Sequence, residues 1–283
     1  MYILAEDVTA EEVLRERERL LQEFSLRVIH VFESSEKSGG KKDVLGCEDA
    51  DGRRVILRMG ERRPDCFFPE GFVGQTLHIP RQFHSGGTRI PFEIEEWIEG
   101  KKIWELEREW SRRGQISPTM RDKLIAVFWE FQRIGVQLPL EQLFTIEKIQ
   151  FFAREAGELL PTRAHELIKA HKAFWSGSYP AKWKFATDNL ILEANGRIAL
   201  IDNVKVGARY FGYDLGFLIW PRWFEMGSVE GEAFEAHVRY LDEFQRVWIA
   251  VAPLDVRRPD NLEEAFTLML FERLVGSLYD VQR

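Results

Sequence analysis

The sequence predicts an α+β protein in which the strands come first and the helices follow. Three observations carry this prediction. Between Leu26 and Ile98, short runs rich in β-forming residues alternate with turn signals such as Asp51-Gly52. Beyond Lys102 the apolar residues recur at helical spacing. Late in the chain, two apolar runs, Leu190 to Leu192 and Ile198 to Ile201, flank Asn195-Gly196. That dipeptide predicts a type I′ hairpin, a turn with positive φ at both central residues.

The elements follow in order. Thr9 is a candidate helix cap with Glu12 as its box partner, and Leu14, Leu20, Leu21 and Phe24 supply a docking face. Strands are expected over 26–32, 44–48 and 53–59, with a polar loop holding Gly39-Gly40 after the first. The stretch 62–87 is dense in proline and glycine, including Pro64, Pro69, Pro80, Gly71 and Gly74, so it allows at most a short helix. A further strand lies within Ile90 to Ile98. Ser117 caps and Pro118 opens a helix that buries Leu124, Val127, Phe128, Phe131 and Ile134 and stops at Gly135. Helices are also read over 145–159, 163–175, 213–220, 232–251 and 261–279. In the last two, Phe234, Val238, Leu241, Phe244, Val247 and Trp248, then Leu268, Phe271, Leu274 and Leu278, are expected inward. The one seam lies near Ile98 to Lys102, which gives an N-terminal part over residues 1–98 and a helical part over 99–283.

Composition narrows the function classes. The chain has 283 residues, 45% of them hydrophobic, enough for a substantial core. A net charge of −7 argues against general nucleic-acid binding. Cys47 and Cys66 show no ligand spacing and read as free thiols. His165 and His171 are spaced too poorly to ligate a metal from one helical face. The N-terminus has no signal-peptide pattern and no apolar run reaches membrane-spanning length, so a cytoplasmic protein without a membrane partner is expected.

The hairpin carries the chemistry. It places the Asn189 amide at the start of one strand and the Asp202 carboxylate at the end of the other, hence at one edge. Two hard oxygen donors there suit a divalent cation held between nucleotide phosphates.

This stretch resembles the catalytic hairpin of kinase-like phosphotransferases, in the branch of the aminoglycoside, choline and fructosamine kinases. That branch reads His-Gly-Asp, four residues, Asn-Ile-Leu, a turn, Ile-Asp, and later Tyr-Asp-Leu. Asn189-Leu190-Ile191-Leu192, Ile201-Asp202 and Tyr213-Asp214-Leu215 match. The resemblance implies a two-lobed protein-kinase-like fold, with a small antiparallel N-lobe covering the nucleotide and a mostly helical C-lobe with the acceptor site. It implies ATP or another adenine nucleotide with Mg2+, bound to Asn189 and Asp202. It assigns phosphate-covering to the loop with Gly39, Gly40 and Lys41, and puts Arg58 of Val55-Ile56-Leu57-Arg58 in the place of the strand lysine. Glu61 or Glu70 is then the nearest carboxylate to pair with Arg58, the backbone of Glu96, Trp97 and Ile98 meets the adenine edge, and Asp214 braces the catalytic loop.

The sequence departs from that pattern at the front of the hairpin. Lys184 stands five residues before Asn189, where the family carries its catalytic Asp, and Lys182 replaces the His. A charged ammonium cannot accept a proton, though it can bind phosphate as a point charge. The missing base costs roughly 10² to 10⁴-fold in rate. Asp188 is the nearest carboxylate, but strand neighbours of Asn189 point the other way. The expected function is thus a nucleotide-binding, pseudokinase-like protein with impaired or atypical phosphotransferase chemistry and an unidentified small-molecule or protein partner. The alternative is an active ATP-dependent kinase acting on a hydroxyl acceptor. Nucleotidyl or other group transfer on the same fold is a third, weaker reading.

Overall fold

The structure, a computed structural model, describes residues 2–3, 5, 7–33, 42–62, 71–112, 117–134, 179–182, 185–203, 206–219 and 231–282, with residues 154, 166 and 169. Gly39, Gly40, Lys41, Cys66, Glu70, Lys184 and the helices expected over 145–159 and 163–175 otherwise lie outside the described residues. In chain order the elements are β1 (Tyr2–Ile3), α1 (Ala10–Glu23), β2 (Arg27–Glu33), β3 (Asp43–Glu48), β4 (Arg54–Met59), β5 (Glu61–Arg62), β6 (Leu77–His78), β7 (Gln82–Gly86), β8 (Phe92–Glu96), β9 (Lys101–Lys102), α2 (Ile103–Arg112) and α3 (Pro118–Ile134). Then come β10 (Tyr179–Lys182), a 3₁₀ turn (Thr187–Asn189), β11 (Leu190–Leu192), β12 (Ile198–Leu200), β13 (Val206–Arg209), α4 (Tyr213–Ile219), α5 (Gly231–Ala250) and α6 (Leu262–Gln282). The chain divides into two compact units, Met1–Gly100 with Glu193–Lys205, and Lys101–Leu192 with Val206–Arg283.

The first unit is built on an antiparallel sheet in the order β2-β3-β4-β8-β7. One face is apolar because every second residue faces α1. Leu45, Cys47, Val55, Leu57, Met59, Phe92 and Ile94 meet Val8, Val13 and Leu20 there. The helix begins where the sequence places it. The Thr9 hydroxyl accepts the Glu12 N–H at 3.2 Å, and the Glu12 carboxylate accepts the Thr9 N–H at 2.8 Å. It ends on Ser25, whose φ of 50° lets the Leu26 N–H close on the Leu21 carbonyl at 2.8 Å.

Two tight turns in this unit use one device. Asp49-Ala50-Asp51-Gly52-Arg53 and Glu193-Ala194-Asn195-Gly196-Arg197 are near repeats. In each, the glycine N–H donates to the first carbonyl at 3.0 Å, and the first and fifth residues also bond through their backbones. Gly52 and Gly196 take φ of 78° and 86°. Asn195 does not adopt a positive φ, which corrects the expected type I′ turn. The extra residue makes a type I turn followed by a left-handed glycine. The Asn195 side chain accepts the Arg197 N–H at 2.8 Å, which secures this form.

The stretch of prolines and glycines yields strands rather than a helix where it is described. Leu77–His78 runs parallel to β12, with Leu77 opposite Ile198 and His78 opposite Ala199. β7 closes the edge of the main sheet beside β8.

The second unit packs helices around aromatic rings. Trp129 of α3 stacks on Trp248 of α5 at 5.3 Å, and its indole N–H donates to the Trp248 carbonyl at 3.2 Å. Phe128, Phe211 and Phe266 surround that pair. Leu241, Phe244 and Leu268 are buried as expected, whereas Val238 is exposed. Tyr240 lies inward in α5 instead. The helix α2 was not anticipated, and it packs beside the 187–189 turn and β11.

Gly46 of β3 permits one close approach. A Cβ there would lie 1.9 Å from the Trp97 ring. We expect Gly46→Ala to destabilise by about 1–3 kcal/mol, the usual cost of overpacking. In a Trp97→Ala background most of that cost should vanish, read from urea midpoints as a double-mutant cycle. An equal cost in both backgrounds would show that the ring does not fill this space.

Candidate functional site

In the first unit the site grows from the sheet face opposite the core. On β4, Val55, Leu57 and Met59 turn to α1, so Arg58 turns the other way and is nevertheless buried. It lies directly across from Glu93 of β8. Its guanidinium meets three carboxylates, Nε to Glu93 at 3.3 Å, Nη2 to Glu95 at 3.3 Å and Nη1 to Asp202 at 3.1 Å. Burial opposes the charge, but Glu95, Asp202, Glu93 and Glu61 outweigh it and hold the guanidinium above its usual range.

Glu93 and Glu95 were missed by the sequence reading. Their signal was the alternation Phe92-Glu93-Ile94-Glu95, which sends two acids to the face that Arg58 occupies. Glu61, one of the two carboxylates expected to pair with Arg58, sits in β5, binds Lys42, and reaches Arg58 through its field.

Asp202 follows β12 with a φ of 59°. Ser25 is the other described residue besides glycine with positive φ. Such a backbone costs on the order of 1–3 kcal/mol and persists only where its surroundings fix it. Here the Arg58 ion pair holds the side chain. The next residue, buried Asn203, donates from its amide to the Leu200 carbonyl at 2.7 Å. An ionised carboxylate has about four lone-pair positions, so Asp202 can pair with Arg58 and ligate a hard cation together.

At the end of β8 the Glu96 N–H is donated to the Arg81 carbonyl at 2.8 Å. The Trp97 ring lies against Gly46, 5.4 Å from Phe32, with the Arg54 guanidinium 5.9 Å from it. Ile98 follows, half-buried.

The second unit holds the other candidate residues. Strands β10 and β13 pair with Lys182 opposite Val206. The Lys182 N–H donates to the Asp214 carboxylate at 2.8 Å, and both residues are buried. Burial pushes the Asp214 carboxyl up, while that hydrogen bond and the charges of Lys182 and Arg209 pull against it. The 3₁₀ turn at 187–189 closes with the Asn189 N–H on the Ala186 carbonyl at 2.9 Å. It buries Asn189 and leaves Asp188 exposed.

Among the described residues, no three His, Cys, Asp or Glu side chains converge to hold a metal ion. A magnesium ion commonly uses one or two carboxylates and completes its shell with water and phosphate. Asp202 fits that pattern better than an all-protein cage would. Among the described residues, no helix is long and apolar enough to cross a membrane.

No protein-family model matches the sequence, and no curated protein matches it. Solved structures do. An amicoumacin kinase in complex with AMP-PNP, Ca2+ and Ami aligns at 13% identity over 97% of this chain and 91% of its own, with a TM-score of 0.56. Aminoglycoside phosphotransferase APH(4)-Ia aligns at 15% identity over 95% and 93%, with a TM-score of 0.52. A thermostable mutant of it, bound to ADP and hygromycin B, aligns at 14% identity over 94% and 92%, with a TM-score of 0.53. At these identities the likeness establishes the fold, and the chain has the kinase-like fold of the aminoglycoside phosphotransferases.

Proposed function

We propose that the protein binds an adenine nucleotide with Mg2+ and is impaired in transferring phosphate. The observation that carries this reading is the buried Arg58 gripping Asp202 in a left-handed backbone conformation. Such strain is kept where a side chain must be aimed, and Asp202 is the metal ligand of this reading. Asn189 is the second oxygen donor that the sequence resemblance implies. The neighbours with AMP-PNP and Ca2+ or with ADP support the choice of nucleotide and divalent ion. Phosphoryl transfer rests mainly on positioning and on offsetting phosphate charge, and in this reading the metal on Asp202 supplies that offset. The impairment lies in the base, because Lys184 stands where an acceptor-orienting carboxylate would be needed.

Calorimetry of the wild type with ATP and Mg2+ should give saturable binding, and Asp202→Ala should weaken it by roughly tenfold or more, a loss of at least about 1.4 kcal/mol. Absence of binding at millimolar ATP would leave a scaffold with no nucleotide.

Transfer to hydroxyl acceptors by the wild type should be slow or absent in an ADP-release assay. The Lys184→Asp variant should bind Mg2+-nucleotide more tightly, because it removes a competing cation and adds a carboxylate. Weakening by about 1–3 kcal/mol would instead show that Lys184 grips phosphate as a charge-assisted contact. Robust wild-type phosphorylation of a small hydroxyl compound would establish an active kinase.

A further inference from the structure

His78 lies on β6, outside the residues assigned above, and the sequence reading gave it no role. Its ring is buried. Nδ1 is 2.6 Å from a Glu193 carboxylate oxygen and Nε2 is 3.3 Å from a Glu96 carboxylate oxygen. Both ring nitrogens therefore face acceptors. A neutral imidazole has one N–H and can donate to one of them, whereas the imidazolium donates to both. The two carboxylates are themselves fixed. Glu193 opens the turn that leads into β12 and accepts the Asn195 amide at 3.0 Å, and Glu96 accepts the Arg81 N–H at 3.2 Å. The backbone is fixed too, with His78 paired to Ala199 of β12 and the Ile198 N–H bonded to the Thr76 carbonyl at 2.8 Å.

We propose that His78, as the imidazolium, is a positioning residue that ties the 193–197 turn and β12, and through them Asp202, to the end of β8 where Trp97 and Ile98 begin. The role rests on the nucleotide-binding reading above. The charged groups facing the ring are Glu193 from the turn and Glu96 from β8, with Arg81 beside Glu96. The neighbouring strand supplies Ile198 and Ala199, which carry no charge. Hydrogen bonds to Glu96 and Glu193 hold the His78 proton more tightly than usual, against the effect of burial. A raised folded value means that the bridge is complete below the ordinary histidine value of about 6.5 and is lost as pH rises through the folded value.

Three measurements on the full chain test this. Histidine ring NMR, with the His78 signal identified by its loss in His78→Gln, should place its midpoint above the ordinary value of about 6.5. Wild-type Mg2+-ATP binding should weaken by roughly five- to tenfold as pH rises through that midpoint. His78→Gln and Glu193→Gln should bind weakly throughout and lose the pH step. A His78 midpoint at or below the ordinary value, or an unchanged pH step in His78→Gln, overturns the proposal. If the wild type binds no nucleotide at any pH, the functional reading fails instead. The bridge is then judged by unfolding, where the stability gap between wild type and His78→Gln should close as pH rises, and a gap constant with pH would refute it.

Discussion

The guanidinium of Arg58 is the contact on which the first unit's polar face depends. A buried arginine is tolerated only when its charge and donors are matched. Three carboxylates from two separate parts of the chain supply that match, Glu93 and Glu95 from β8 and Asp202 from the segment after β12. The carboxylates outnumber the one guanidinium, so each depends on that cation and the face behaves as a unit. The sheet makes this arrangement possible, because the alternation that drives Val55, Leu57 and Met59 into the core forces Arg58 to the other side.

The segment 193–205 belongs to the first unit although it lies far along the chain. One local turn and two contacts distant in the chain hold it there. The turn at 193–197 is closed by its own backbone and by Asn195, β12 pairs with β6, and His78 bridges Glu193 and Glu96. Asp202 comes at the end of this fixed stretch, with a left-handed backbone that few residues other than glycine, asparagine and aspartate adopt. Position and strain thus converge on the same carboxylate that the sequence singles out.

Much of this was legible in the sequence, for reasons that differ by residue. Thr9 and Glu12 announce α1 because a capping box is a local pattern. Ser117 and Pro118 announce α3 in the same way, and the Met120 N–H does bond the Ser117 hydroxyl. Asn195-Gly196 marks the turn correctly, but the turn type depends on how many residues separate the strands, which the dipeptide does not encode. Val238 carries helical spacing yet is exposed, since periodicity cannot say where the apolar stripe ends. The alternation around Glu93 and Glu95 marks their face but not Arg58 as their partner, and His78 was out of reach because its partners are distant in the chain. Asp202, Asn189 and Asp214 were picked from their motif, while the Arg58 to Asp202 ion pair was not anticipated.

The central claim is that Arg58 holds Asp202 for a metal-bound nucleotide. A double-mutant cycle on Mg2+-ATP affinity tests it most directly, using Arg58→Met, Asp202→Asn and the pair together. The account predicts strong non-additivity, with a coupling of about 0.5–3 kcal/mol, because each change disables the same contact. Additive losses, or affinity unchanged by Arg58→Met, would contradict it.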